Sequence, residues 1–292
     1  MPMESLPPPS HLPGELLDGR YFVGEVLGRG GHGVVYQAID QHTGKAVAIK
    51  FLHPEFAADP EYNVRMLREA QASAKLSGTA AIQIFALRSD PSGALFIVME
   101  LLEGRDLGQY LAQWEDAGQF FPVSEVPKIF DPIVHTLDAA HAAGIVHRDL
   151  KPGNIFVLTP ERGGSVKLLD FGLAKVMSAK PLTREGMVAG SPSYIAPEAW
   201  KGDSRKLDHR IDVYSMGALL FRVLAGRPPF VGTLLELMQG ALSSERPSLH
   251  ELRPDFPKEV DEWVKEALAI APADRFQHVG TMWIALRGIL KI

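Results

Sequence analysis

The sequence predicts an α+β chain built as two lobes. Three observations carry that reading. The first hundred residues hold a succession of β-branched and aromatic runs with one long amphipathic segment among them. A short segment, Met99–Glu100–Leu101–Leu102–Glu103–Gly104, then looks like a connection between lobes. Beyond it the apolar residues recur mostly at helical spacing. The size agrees, because 292 residues with 46% hydrophobic content supply one large domain or two modest lobes.

Composition narrows the function classes. A net charge of −5 and a pI of about 6.1 point away from a bulk polyanion partner such as nucleic acid. The absence of cysteine removes disulfides, thiolate metal sites and cysteine nucleophiles, and fits a reducing, cytoplasmic compartment. No apolar run reaches the roughly 18–20 residues that cross a bilayer, so no membrane span is expected. Ala94–Leu102 is interrupted by Glu100 and Ala218–Ala225 by Arg222. Residues 1–17, with prolines at 7, 8, 9 and 13, read as a flexible leader. The expected boundaries are then a domain over 18–292, its first lobe over about 18–101, the connection over about 100–104 and the second lobe over about 105–292.

Tyr21–Leu27 and Val34–Asp40 read as strands, with Gly28–Arg29–Gly30–Gly31–His32–Gly33 between them. Alone, G-x-G-x-x-G has the spacing of a dinucleotide-binding loop. That loop opens a helix, however, whereas this one runs into Gly33–Ala38, which alternates like a strand. A glycine-rich hairpin lets backbone N–H groups approach phosphates with no Cβ in the way. An ordinary hairpin is the plain alternative, and the later motifs favour the phosphate lid. Gln41–Lys45 is a turn, and Ala46–Lys50 a buried-type strand ending in one lysine.

Asp59–Leu76 reads as a helix with Val64, Leu67, Ala70, Ala74 and Leu76 on its apolar face. Within it Glu69 is the expected partner of Lys50. Its competitor, Glu61, sits in the first turn, where the helix dipole already favours an acid. Ile82–Leu87 and Ala94–Glu100 follow as strands joined by the turn Ser89–Gly93. In the connection after them, backbone groups would hydrogen-bond an adenine edge and Met99 would limit the pocket behind it. Asp106–Trp114 is a short helix and Glu115–Pro122 a loop. Ser124 is then the expected N-cap of a helix running to about Ala143. Pro127 is tolerable in its first turn, whereas Pro132 should kink the helix or delay its start. His135 and His141, on this helix, read as packing or surface histidines.

The next stretch, His147–Arg148–Asp149–Leu150–Lys151–Pro152–Gly153–Asn154, precedes a strand at Ile155–Leu158. A further strand, Ser165–Leu169, delivers Asp170–Phe171–Gly172. Asp149 has the position expected of a base that takes a proton from an attacking hydroxyl. Asn154 and Asp170 carry the oxygen ligands that a hard Mg²⁺ ion prefers. Phe171–Glu198 is long, rich in Gly, Ser, Thr and Pro, and ends in Ala196–Pro197–Glu198, with Thr183, Ser191 and Ser193 as its hydroxyl candidates. Lys206–Gly226 contains a helix too apolar for the surface, so its Asp212 must find donors, and the backbone N–H groups of the His147–Asn154 stretch are the natural ones. Leu234–Ala241, Lys258–Ala269 and Thr281–Ile289 are further helices. Arg275, between the last two, is expected to pair with Glu198 in a structural role.

The Gly-rich loop, Val47–Ala48–Ile49–Lys50, Glu69, H-R-D-x-x-x-x-N, D-F-G and A-P-E stand in order over roughly Tyr21–Leu290. In this set the chain closely resembles the eukaryotic-type serine/threonine protein kinases, in particular their bacterial members. The resemblance implies a two-lobed protein-kinase fold: an antiparallel N-lobe sheet with one helix, and a mainly helical C-lobe. It implies ATP with Mg²⁺, or Mn²⁺ in its place, in the cleft, and protein substrates. Carried over, Asp149 is the catalytic base, Lys151 contacts the γ-phosphate, Lys50 pairs with Glu69, and Asn154 and Asp170 hold the metal. The implied ATP-binding set is Leu27, Gly28, Gly30, Gly33, Val35, Ala48, Lys50, Glu69, Met99, Glu100, Leu102 and Phe156. Asp212 resembles the acid that braces the catalytic loop.

Lys151, two residues after Asp149, looks like the serine/threonine branch. Arg148 resembles the arginine of kinases switched by activation-loop phosphate, whose charge of about −1.5 to −2 pairs with arginine. Thr183 resembles the usual autophosphorylation position, and Glu185 stands where many relatives carry a second threonine. Bacterial relatives often pair through their N-lobes, so an N-lobe homodimer is one assembly the resemblance allows, and the sequence leaves the oligomeric state open. Two departures stand out. Gly78–Thr79–Ala80–Ala81 replaces the usual His-Pro-Asn, which predicts looser anchoring of the Glu69 helix or an altered N-lobe back surface. Gly153 replaces a glutamate common in kinases that prefer basic substrates, which predicts weak dependence on upstream arginine. A catalytically silent relative would lack the lysine, base or metal ligands, and all are present. The intact Gly190–Glu198 segment argues for a protein substrate over a small molecule.

Overall fold

The computed structural model describes residues 13–30, 33–52, 75–90, 95–170, 192–202 and 207–292. Contacts divide the chain into two units, Met1–Ala74 with Ile82–Leu102, and Lys75–Ala81 with Glu103–Ile292. The second cut falls after Leu102, and residues 75–81 go with the second unit.

The first unit is built on a six-stranded antiparallel sheet. Its strands are β1 (Leu16–Leu17), β2 (Tyr21–Gly30), β3 (Gly33–Asp40), β4 (Lys45–Leu52), β5 (Ile84–Ser89) and β6 (Leu95–Glu100), in the order β1-β2-β3-β4-β6-β5. Alternation along β3 explains its register. Val34, Tyr36, Ala38 and Asp40 are buried while Val35, Gln37 and Ile39 are half-buried. Tyr36 meets Phe51 edge-on at 5.7 Å, and Phe51 meets Phe96 at 5.3 Å, so three strands contribute to one aromatic core. The leader ends earlier than the sequence predicts. Leu16 and Leu17 pair with Phe22 and Tyr21, and the Gly14 N–H reaches the Val23 carbonyl at 2.8 Å. Leu17 is buried, so an apolar pair there gains more as a strand than as free chain. β5 starts two residues after its predicted position. Of the helix expected over 59–76 only residues 75 and 76 are described, so Glu69 and Glu61 lie outside the described residues.

In the second unit, β7 (Gly104–Asp106), β8 (Ile155–Leu158) and β9 (Val166–Leu168) form a small antiparallel sheet. Gly104, read as part of a plain connection, starts a strand instead. At φ +155° a Cβ on it would lie 2.1 Å from the Val157 carbonyl oxygen, so only glycine fits against β8. Asp106 accepts from the Gln109 N–H and caps α1 (Leu107–Glu115) rather than lying inside it. The next helix, α2 (Val126–Ala142), corrects the Ser124 cap. Residues Val123–Glu125 form a 3₁₀ turn, Glu125 is the N-cap, and no side chain caps it. Pro132 lies inside α2, which starts on time and continues past it. Its carbonyl accepts from Thr136 Oγ1 at 2.7 Å, and Thr136 accepts from the Ala80 N–H at 2.9 Å.

Helices α3 (Pro197–Trp200), α4 (Arg210–Ala225), α5 (Leu234–Ser243), α6 (Leu249–Leu252), α7 (Glu259–Ala267) and α8 (Val279–Leu290) complete the described part of this unit. Helix α4 is buried almost all round, as its apolar composition predicts, and lies at the centre of a core shared with α2, α7 and α8. Among the described residues no helix is long and apolar enough to cross a membrane.

Candidate active site

The loop between α2 and β8 is held from below by one carboxylate. Asp212, on α4, is completely buried. Its Oδ1 accepts from the Arg148 N–H at 2.8 Å, and its Oδ2 from the His147 N–H at 2.8 Å. His141 Nε2 lies 2.7 Å from Oδ2 and must carry the hydrogen, because a carboxylate only accepts. The donors expected from the sequence are thus the ones found. His141, read as a packing or surface residue, is a third; an imidazole four turns along an amphipathic helix carries no local sign of its partner. Arg148 has φ +66°, a left-handed backbone that a non-glycine residue holds at a cost of about 1–3 kcal/mol. The two N–H bonds to Asp212 offset that cost.

His147 is fully buried and reads the loop from its other face. Its Nε2 donates to the Leu169 carbonyl at 3.0 Å, and its Nδ1 accepts from the Asp149 N–H at 3.3 Å. One ring nitrogen donates and the other accepts, so the ring is neutral. Burial lowers its pKa from the usual histidine value in spite of the neighbouring Asp212 and Asp149 carboxylates.

Above this frame the side chains expected at the site from the sequence converge. Lys151 Nζ donates to Asp149 Oδ2 at 2.7 Å. Asn154 is buried, and its Nδ2 donates to the Asp149 carbonyl at 2.7 Å and to Asp149 Oδ2 at 3.1 Å. The Leu169 N–H in turn donates to the Asn154 carbonyl at 2.8 Å. Leu169 is therefore clamped by both His147 and Asn154, and Asp170, with φ +41°, issues directly from that clamp. Lys151 and Asn154 are joined to Asp149 through their side chains, and Asp170 follows directly on Leu169, whose N–H is bonded to the Asn154 carbonyl. The donors are a carboxylate and a carboxamide on a fixed backbone, oxygen ligands that fit a hard divalent cation.

The neighbouring stretch Gly78–Ala81 is tied down. The Leu168 N–H donates to the Ala80 carbonyl at 2.7 Å, and Thr79 Oγ1 donates to the Leu76 carbonyl at 2.7 Å. In the first unit Lys50 lies on β4 opposite Val35 and Ile97, and Gly28 pairs with Val35 on the adjoining strands. Ala48 and Met99 are buried cross-strand partners, whereas Leu27 is exposed and Gly30 and Gly33 close the strand pair. The Glu100 carboxylate accepts from the Gln83 N–H at 2.7 Å, which commits its side chain to the sheet. Leu102 is half-buried just past β6, and Phe156 lies on β8 opposite Asp106 and Lys167.

Of the hydroxyl candidates, Thr183 and Ser191 lie outside the described residues. Ser193 is half-buried in a 3₁₀ turn over Pro192–Tyr194. That turn is anchored in ways the sequence did not signal. Ser215 Oγ donates to the Tyr194 carbonyl at 2.7 Å, and Arg222 donates to the Tyr194 hydroxyl at 3.1 Å while holding Glu115 through two bonds of 2.9 Å. The expected pair is present as well. Arg275, almost fully buried, donates to both Glu198 oxygens at 2.8 and 2.6 Å and to the carbonyls of Ala269, Arg210 and Ile270.

Comparison with known proteins agrees with this geometry. The family model described as a protein kinase domain matches residues 21–281. A probable serine/threonine-protein kinase of Streptomyces coelicolor is 35% identical over 282 residues, which cover 94% of this chain and 40% of that protein. The probable serine/threonine-protein kinase PknB of Corynebacterium glutamicum is 35% identical over 273 residues, 90% of this chain and 41% of its own. Serine/threonine-protein kinase PknL of Mycobacterium tuberculosis is 34% identical over 277 residues, 94% of this chain and 67% of its own. The chain thus spans about two-fifths of the length of the first two and two-thirds of the third. Among solved structures, the PknI kinase domain of M. tuberculosis superposes with a TM-score of 0.74 at 29% identity, covering 96% of this chain and 99% of that one.

Proposed function

We propose that this chain, which belongs to the protein kinase family, transfers the γ-phosphoryl group of ATP to serine and threonine hydroxyls of proteins. The observation that carries the reading is the Asp212 brace. It fixes the backbone of His147 and Arg148 and so presents Asp149, with Lys151 and Asn154 bonded to it, as one preorganised group. Preorganisation is what this reaction asks of a protein, because positioning and charge neutralisation supply most of its rate.

In this reading Asp149 accepts the proton of the attacking hydroxyl, and Lys151 moves from its carboxylate to the transferring phosphoryl group. Lys50, paired with Glu69, binds the α- and β-phosphates under the Gly28–Gly33 hairpin. Leu27, Val35, Ala48, Met99, Leu102 and Phe156 pack the base, with backbone groups near Glu100 reading its edge. Asn154 and Asp170 hold Mg²⁺, or Mn²⁺ in its place, through oxygen. The bound ion supplies charge neutralisation of the phosphates. Arg148 receives activation-segment phosphate, with Thr183 as the principal acceptor and Ser191 and Ser193 as further candidates. The domain runs from about residue 14, where the chain joins the sheet, to 292, acts in the cytoplasm on protein substrates, and pairs through its N-lobe.

The test is transfer of label from [γ-³²P]ATP with Mg²⁺ or Mn²⁺, with the labelled residues mapped, for the wild type and Asp170→Asn. Label on serine or threonine in the wild type alone is expected. A wild type that binds ATP and labels neither itself nor a generic substrate overturns the proposal. Full activity in Thr183→Ala removes Thr183 from the regulatory part of it.

A further inference from the structure

One concave region of the second unit is unused by the chemistry above. It is a groove of about 540 Å³ formed by α7, the loop after it and α8. Trp263, Ala269, Phe276, Ala285 and Ile289 make its apolar lining. Trp263 is rigid, since its Nε1 donates to the Met282 carbonyl at 2.9 Å.

The rim has one sign. Glu259, Glu262, Glu266 and Asp274 face the groove against a single ammonium, Lys265. Lys265 is already paired with Glu262 at 2.8 Å. Among the described residues no ion pair reaches Glu259, Glu266 or Asp274. Burial alone holds the Glu266 carboxyl above its usual pKa. Glu259, Glu262 and Glu266 recur at helical spacing, so the acids form a line along α7 parallel to the apolar floor. An apolar floor of aromatic and aliphatic side chains beside a line of three glutamates, only one of them paired with a lysine, repels fatty acids and phosphates. It matches a peptide that offers aliphatic anchors on one side and lysines or arginines on the other.

We propose that this groove is a docking site for a basic, aliphatic-anchored segment of a partner protein. The groove volume accommodates a few anchor side chains rather than a whole domain face. The apolar lining supplies the energy and the acidic line sets orientation and choice of partner. The reading is independent of phosphoryl transfer, since none of these residues belongs to the machinery around Asp149.

The experiment is fluorescence anisotropy of the full 292-residue chain with a fluorescein-labelled peptide carrying leucine and arginine at helical spacing. A glutamate-for-arginine version and an order-scrambled version serve as comparison probes. Two variants separate the parts: Glu262→Lys with Glu266→Lys reverses the rim, and Ile289→Asp spoils the floor. All three positions are partly or fully exposed, and circular dichroism verifies folding. The basic peptide is expected to bind the wild type, to weaken about tenfold or more in either variant, and to weaken with added salt. Binding that is unchanged in both folded variants, or equal for the scrambled peptide, assigns the attraction to the net charge of the whole chain and overturns the proposal. No binding of the basic peptide by the wild type overturns it too.

Discussion

Asp40 and Asp212 are both buried aspartates that hold a bend of the chain, and they do it with different donors. Asp40 ends β3 and closes the turn before β4. It accepts from Arg20 Nε and Nη2 at 2.8 Å each, from Thr43 Oγ1 at 2.8 Å and from the His42 N–H at 3.1 Å. A formal cation meets its charge, and Arg20 holds the carboxyl far below the ordinary carboxylate range. Asp212 has no lysine or arginine at ion-pair distance among the described residues. It is met by two backbone N–H groups and one imidazole. The first arrangement is local and tolerates loss, because water reaches the arginine. The second turns a buried charge into a backbone constraint 64 residues away in sequence, so its loss is felt in the backbone that leads into Asp149.

The sharpest break is Asp212→Ala. It leaves two N–H groups in a dry interior and releases Arg148 from its left-handed backbone. A loss of about 3 kcal/mol or more is expected from orphaned buried donors, read as a lower denaturant midpoint, with phosphoryl transfer falling further than stability explains. His141→Ala removes one donor and spares both backbone bonds. About 1–2 kcal/mol is expected for one hydrogen bond to a charged group, with transfer retained at a reduced rate.

His147 gives a pH test of the same frame. It is neutral and buried in the fold, with its pKa depressed, whereas in the unfolded chain it binds a proton near the usual value of about 6.5. Its contribution is therefore complete above that pH and is lost as pH falls below it. Melting followed from pH 7.5 to 5 should show the loss steepening below pH 6.5, by at most about 1.4 kcal/mol per pH unit for one proton. His147→Gln should flatten that part of the curve. Asp40→Asn is expected to do least: a small drop in melting temperature and unchanged transfer. The stability from Asp40 is present above the ordinary aspartate pKa and fades only as pH falls through its depressed one. A larger effect from Asp40→Asn than from Asp212→Ala would invert the comparison.

The same contrast explains what was legible in the sequence. The catalytic-loop motif names its side chains outright, and an aspartate inside an all-apolar helix demands donors, so the Asp212 bonds to the loop follow from burial alone. The expected pair of Arg275 with Glu198 is present, but the loop position of Arg275 carried no sign of its burial. The Leu16–Leu17 strand was hidden because two leucines after a proline-rich run show no period. The Ser124 cap failed because a 3₁₀ turn intervenes before α2, and local sequence does not separate a 3₁₀ start from an α start. His141 and the Arg222–Glu115–Tyr194 set were invisible because their partners lie 71, 107 and 28 residues away. The acidic groove escaped because α7 reads as an ordinary solvated face until α8 is laid beside it.

The measurement that tests the account most directly is the rate of phosphoryl transfer from ATP to a generic serine/threonine substrate, in Mg²⁺, by the wild type and by Asp149→Asn at matched folding. The account predicts measurable turnover by the wild type and a fall of about 10²–10⁴-fold in the variant, the usual worth of a general base. Equal rates in the two proteins would contradict the assignment of Asp149, and the organisation of the loop around Asp212 would need another purpose.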